Sequence, residues 1–153
     1  VLKSSRFIVC NSDNIYSVKA IKTLKLELTH NSMIAYNSEC LDFSEEKISS
    51  FSILEIKNKF LFKIIEKPTI SHIRNITEEK FVSMNIFSFF GDQVYDYLSN
   101  CEVNQDRGEK EIATAIQNMI NDRNKSIKVF KICEHVPDLT YKNDIGLIND
   151  FLK

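Results

Sequence analysis

The chain has 153 residues, 43% of them hydrophobic, and a formal net charge of -1. That length suits one domain with a sizeable core. The near-neutral balance argues against a nucleic-acid binder held by bulk electrostatics, and no window approaches the ~18 continuous apolar residues of a membrane span.

Residues 1–6 lead straight into a strand-like run with no signal-peptide pattern, and the Val1 start predicts a processed form or a fragment. Phe7-Ile8-Val9-Cys10 predicts a short strand, stopped by the polar turn formers Asn11-Ser12-Asp13-Asn14, which leave Asp13 on the loop behind it. Over 16–28, Val18, Ile21, Leu24 and Leu28 recur near the 3.6-residue period, so a helix follows. Residues 33–36 predict another strand, and the polar stretch 37–50 a loop. Runs 51–56 and 60–66, separated by Lys57-Asn58-Lys59, predict an antiparallel hairpin. Pro68 cannot continue a central ladder, so Glu66 and Lys67 stand at a strand's C-terminal end, where open α/β sheets put their ligands.

Residues 69–80 are mixed and polar, which predicts a loop or a short helix. The most apolar stretch, 81–90, predicts one central strand, with Asp92 as N-cap of a helix reaching Leu98. Gly108 precedes a helix over 109–119. Its apolar stripe is Ile112, Ile116, Met119 and Ile120, and Glu109 and Glu111 fall in its first turn. Residues 127–133 predict the last strand, Asp138 lies in the loop after it, and Asn143 or Asp144 opens a helix to Leu152. Strands alternating with helices predict a single domain over 1–153, a three-layer α/β/α arrangement on a mainly parallel mixed sheet.

Cys10, Cys40, Cys101 and Cys133 are far apart and form no C-x-x-C pair, and His30, His72 and His135 are scattered. This predicts reduced thiols in a cytoplasmic protein rather than a metal cluster.

The order of motifs carries more than any one of them: an acid behind a buried strand (Asn11-Ser12-Asp13-Asn14), a hairpin ending in Ile65-Glu66-Lys67-Pro68, and the strand Ser83-Met84-Asn85-Ile86-Phe87-Ser88-Phe89. Arg107-Gly108-Glu109 with an amphipathic helix comes next, and Asp138-Leu139-Thr140-Tyr141-Lys142-Asn143-Asp144 follows before a last helix. This succession resembles the sugar-1-phosphate nucleotidylyltransferases, from about Phe7 to the end of the chain. The resemblance implies a Rossmann-like nucleotidyltransferase fold and transfer of an NMP group from an NTP to a sugar 1-phosphate, releasing pyrophosphate. By the same resemblance Asp13 and Asp138 are ligands of a catalytic Mg²⁺, Lys67 is the catalytic phosphate clamp and Glu66 accepts hydrogen bonds from sugar hydroxyls. Asn85 lines the sugar pocket where the family carries glycine, and Ser12 likewise replaces a glycine. Asp144 is the alternative to Asp138 for the second acid.

The family's glycine-rich triphosphate loop does not precede Phe7. The resemblance therefore implies the C-terminal portion of a catalytic domain, its N-terminal nucleotide-binding part missing, with the strand 7–10 as a bare edge. An upstream segment or a second chain is the expected cover, and the oligomeric state stays open. NTP and sugar 1-phosphate are the expected partners, with no nucleic acid and no membrane. The runner-up reading is a non-catalytic regulatory or assembly module of the same fold, favoured by Ser12, Asn85 and the missing loop.

Overall fold

The computed structural model describes residues 2–105, 108–122, 125–140 and 144–151. A 3-10 turn, Leu2–Ser4, leads into β1 (Arg6–Cys10), α1 (Val18–Leu26) and β2 (Asn31–Asn37). A second 3-10 turn (Ser38–Cys40) and α2 (Glu45–Ile48) precede the hairpin of β3 (Ser52–Lys57) and β4 (Phe60–Ile65). Then come α3 (Ile70–Arg74), β5 (Phe81–Ser83), β6 (Ile86–Phe90) and α4 (Gly91–Asn100). The small ladder of β7 (Val103–Asn104) and β8 (Glu109–Lys110), α5 (Ile112–Asn121), β9 (Ile127–Ile132) and α6 (Asp144–Phe151) complete the chain.

β2 is the centre. It is buried on both faces, as the apolar run over 33–36 requires. Alternate residues point to opposite sides of a strand, and the two cores sort accordingly. Met33 and Ala35 pack with Phe87, Phe89, Val94 of α4 and Ile116 and Met119 of α5. Ile34 and Tyr36 pack on the other side with Ala20 and Leu24 of α1, Ile48 of α2 and Ile73 of α3. Helices α4 and α5 thus pack on one face of β2, and α1, α2 and α3 on the other, in an α/β fold.

The sheet runs β1-β6-β2-β5-β3-β4-β9, and β9 also pairs with β2. Here the expectation of a mainly parallel sheet is corrected: β2–β9 is the single parallel pairing among the described residues. The β1–β6, β2–β5, β2–β6, β3–β4, β3–β5 and β4–β9 pairs are antiparallel. Alternation of elements sets layers, but a hairpin and one reversed strand inserted beside β2 are enough to turn most ladders antiparallel. The hairpin turn is Asn58-Lys59, both left-handed (φ 51° and 68°), as a tight two-residue connection demands.

Four further expectations change. The strand 81–90 is split at Met84-Asn85: β5 pairs with β2 and β3, β6 with β1 and β2. Asp92 lies in the first turn of α4, whose N-cap position is Phe90 with no side-chain cap. The helix expected from Glu109 starts at Ile112, because Glu109 and Lys110 are used in the β7–β8 ladder. The stretch 37–50 is not all loop: Ser44 caps α2 by accepting from the Lys47 amide. Asn143 and Leu152, candidate ends of the last helix, lie outside the described residues.

Cys40 and Cys133 form a disulfide, Cα to Cα 5.2 Å, correcting the reading of four reduced thiols. The bridge joins the 3-10 turn after β2 to the residue after β9, two parallel neighbours whose ends coincide. Cys10 is exposed and Cys101 buried, both free. The cytoplasmic expectation rested on reduced thiols, and two of the four no longer support it. Among the described residues no helix is long and apolar enough to cross a membrane.

Glu27 locks the α1–β2 connection to β9. Its buried carboxylate pairs with Lys128 and accepts from the amides of Thr29 (2.9 Å) and His30 (3.1 Å). Burial alone would raise its pKa; the hydrogen bonds from Lys128, Thr29 and His30 outweigh it and hold the carboxyl well below the usual range. A depressed folded pKa gives stability that is full above the ordinary glutamate value of 4.5 and lost as pH falls below it. Glu27→Gln should cost about 2 kcal/mol at neutral pH. It should also flatten the acid limb of a urea-denaturation series between about pH 5 and 2. An unchanged acid limb would reject this role.

Candidate active site

Five of the residues singled out in the sequence lie in the connections at or beyond strand ends. Asp13 follows β1, Glu66 and Lys67 follow β4, Asn85 breaks β5 from β6, and Asp138 follows β9. All five line one cleft of about 900 Å³. Arg107 and Tyr141 lie outside the described residues.

Two loops meet at the acids. Leu139 N donates to the Asp13 carbonyl (2.8 Å) and Ile15 N to that of Pro137 (3.0 Å), while Asn14 and Asp138 form an isolated antiparallel bridge. Tyr16 pins this loop to the strand break: its hydroxyl donates to the Met84 carbonyl (2.6 Å), lies 3.1 Å from Asn14 Oδ1 and accepts from Asn11 N (3.2 Å). Burial pushes that phenol well above its usual range, so it stays a neutral donor.

The two aspartates differ in setting. Asp13 is exposed, and among the described residues its carboxylate makes no hydrogen bond or ion pair. Asp138 has a side chain only 6% exposed. Its Oδ1 accepts from Asn14 Nδ2 (2.8 Å); its Oδ2 accepts from Thr140 Oγ1 (2.5 Å) and is ion-paired with Lys47. Burial works to raise its pKa, but the Lys47, Thr140 and Asn14 donors outweigh it and the carboxyl is held below its ordinary range. Asp144 accepts from Thr140 N (3.0 Å), supporting the loop that carries Asp138.

Glu66 is exposed and oriented by the buried Ser52, whose hydroxyl donates to Oε1 (2.9 Å). Lys67 is exposed and left-handed at φ 41°, an uncommon conformation for a residue bearing a Cβ. The ring of Pro68 denies it the right-handed helical region as well. Asn85 is left-handed too (φ 54°), with its amide donating to Ser83 Oγ (3.1 Å). Asparagine is among the few side chains that visit this region readily, so it preserves a glycine-like backbone while adding an amide to the cleft wall.

Lys47 went unnoticed in the sequence because its surroundings are polar and without period. The signal was there: Ser44-Glu45-Glu46 reads as an N-cap followed by first-turn acids. Lys110, Glu109 and Glu111 also line the cleft, from β8 and the N-cap of α5.

No curated protein matches the chain. Solved structures share its fold at low identity, three of them as follows. A Bacillus anthracis protein assigned as a glucose-1-phosphate thymidylyltransferase, solved with sucrose, is 16% identical with a TM-score of 0.66 over 98% of this chain and 55% of its own. A UDP-glucose pyrophosphorylase complexed with UDP-glucose is 15% identical, TM-score 0.66, over 97% and 57%. The inositol-1-phosphate CTP transferase from T. maritima is 16% identical, TM-score 0.59, over 92% and 51%. The chain thus spans little more than half the length of these neighbours. The family profile described as nucleotidyl transferase matches residues 1–153, from end to end, and the chain belongs to that family.

Proposed function

We propose that this chain forms the sugar-phosphate side of a nucleotidylyltransferase site, in which a sugar 1-phosphate oxygen attacks the α-phosphorus of an NTP and pyrophosphate leaves. The supporting observation is the meeting of Asp13, Glu66, Lys67, Asn85 and Asp138 around one cleft. Both reactants are polyanions, so cationic neutralisation and alignment are what such a site must supply. Lys67 meets the sugar phosphate. Glu66, held by Ser52, accepts from sugar hydroxyls, and the Asn85 amide borders the sugar.

The donor set fits a hard divalent cation such as Mg²⁺, which takes one or two carboxylates and completes its shell with water and substrate phosphates. Asp13 and Asp138, on abutting backbone segments, would hold it. When bound, the ion neutralises phosphate charge. No larger cluster of acids, His or Cys exists among the described residues, and none is needed.

We also propose that 1–153 is the C-terminal portion of a catalytic domain. β1 stands at the end of the strand order with its Ile8 36% exposed, and Ile21 and Leu26 of α1 are exposed as well. An apolar edge of this kind calls for a cover. The non-catalytic alternative draws on Ser12 and Asn85. The deciding experiment is pyrophosphate release by the full-length protein carrying this chain, with each NTP and a panel of sugar 1-phosphates and inositol 1-phosphate, with and without Mg²⁺. A Mg²⁺-dependent product with one pair supports transfer. Silence across the panel, with no thermal stabilisation by any nucleotide sugar, favours the non-catalytic module.

A further inference from the structure

Lys47 is placed by three fastenings between its own segment and the one bearing Asp138. The Cys40–Cys133 disulfide is the first. Asp42 N donating to His135 Nδ1 (3.1 Å), with Phe43 against the His135 ring (5.1 Å), is the second. Lys47 itself is the third, ion-paired with Asp138 and donating to Thr140 Oγ1 (2.9 Å). Its ammonium also lies 5.9 and 5.6 Å from the ring centres of Phe43 and Phe51, within cation–π range. So one of the two carboxylates proposed to hold the metal already carries a cation, and that cation belongs to the chain.

A buried carboxylate left without a positive partner is costly, and Lys47 supplies that charge beside the Asn14 and Thr140 donors. Yet a divalent ion held by Asp138 would share that carboxylate with the ammonium, and two cations on one carboxylate in a partly dry site would repel each other strongly. Lys47 has a flexible four-carbon stem and a side chain 25% exposed, so it can leave, and both it and Asp138 border the same cleft. We infer that Lys47 is an exchangeable internal counter-ion: it holds Asp138 until a divalent ion arrives, and is then displaced towards the phosphates in the cleft. The inference rests on the assignment of Asp13 and Asp138 as metal ligands. It adds a second cation to Lys67 for the substrates, available only once the ion is in place.

The test is titration of the purified full-length protein with Mn²⁺, by calorimetry or by the electron-spin signal of the free ion, with inorganic pyrophosphate as the phosphate probe. Lys47→Met keeps length and apolar packing but removes the competitor. Its Mn²⁺ affinity should rise about tenfold or more, while pyrophosphate binding to the Mn²⁺-loaded protein weakens. Lys47→Arg, which retains charge, should bind Mn²⁺ no more tightly than the wild type. Equal or weaker Mn²⁺ affinity in a folded Lys47→Met, with binding still lost in Asp13→Asn, overturns the counter-ion role and leaves the metal assignment standing. No Mn²⁺ binding in wild type, Lys47→Met or Lys47→Arg overturns both.

Discussion

If the proposed site is correct, replacing Lys67 with alanine should lower nucleotidyl transfer by the full-length protein about a hundredfold to a thousandfold, the range typical for removing one group that stabilises developing charge. The loss should fall mainly on kcat/KM for the sugar phosphate, because that is the reactant the lysine is proposed to neutralise. Lys67→Arg should recover only part of it, since a planar fork does not reproduce a compact point charge. Lys67→Gly separates function from folding. The residue holds φ 41° ahead of a proline, a conformation costing a Cβ-bearing residue about 1–2 kcal/mol that glycine does not pay. Lys67→Gly should therefore be as inactive as Lys67→Ala but more stable than it to urea, by about 1 kcal/mol. An active glycine variant would remove Lys67 from the chemistry. An inactive one with unimproved stability would leave the clamp in place and remove the strain argument.

The strained backbone of Lys67, a proposed site residue, bears on what was legible beforehand. Proline after a buried apolar run marks a strand end, so Glu66-Lys67 could be placed from sequence alone, and the five candidates meet because each lies at such an end. The break at Met84-Asn85 could not be read, since apolar residues continue on both sides and only the backbone angle of Asn85 interrupts the ladder. Pairing direction was hidden for a different reason. Periodicity reports which face of an element is apolar, not which neighbour covers it or in what sense. The same limit applies to the helix predicted over 16–28, where Val18, Ile21 and Leu28 share the helical spacing of Leu24 yet Leu24 alone of the four is buried, and Leu28 falls beyond the end of α1.

The largest structural consequence was also the least visible. Cys40 and Cys133 are 93 residues apart, with no spacing pattern to pair them; they meet because β2 and β9 run parallel and end together. Closing so long a loop removes much chain entropy from the unfolded state. Cys40→Ser with Cys133→Ser should cost about 4–5 kcal/mol by loop-closure reasoning, an upper figure since native bridges often deliver less. For a chain of this size that is a fall in Tm of roughly 10–15 °C. Thiol counting checks the bond itself: one thiol, Cys10, should react in the folded protein and a second, Cys101, on unfolding. The remaining two should react only after reduction. Four reactive thiols on unfolding without reductant would refute the bridge. Because the bond fastens the segment carrying Lys47 to the one carrying Asp138, its loss should reach the cleft as well. In the reduced protein the Lys47–Asp138 pair loses one of its tethers, so Mn²⁺ affinity should shift towards that of Lys47→Met even well below the melting temperature. A reduced protein that is less stable but binds Mn²⁺ as before would confine the disulfide to holding the fold.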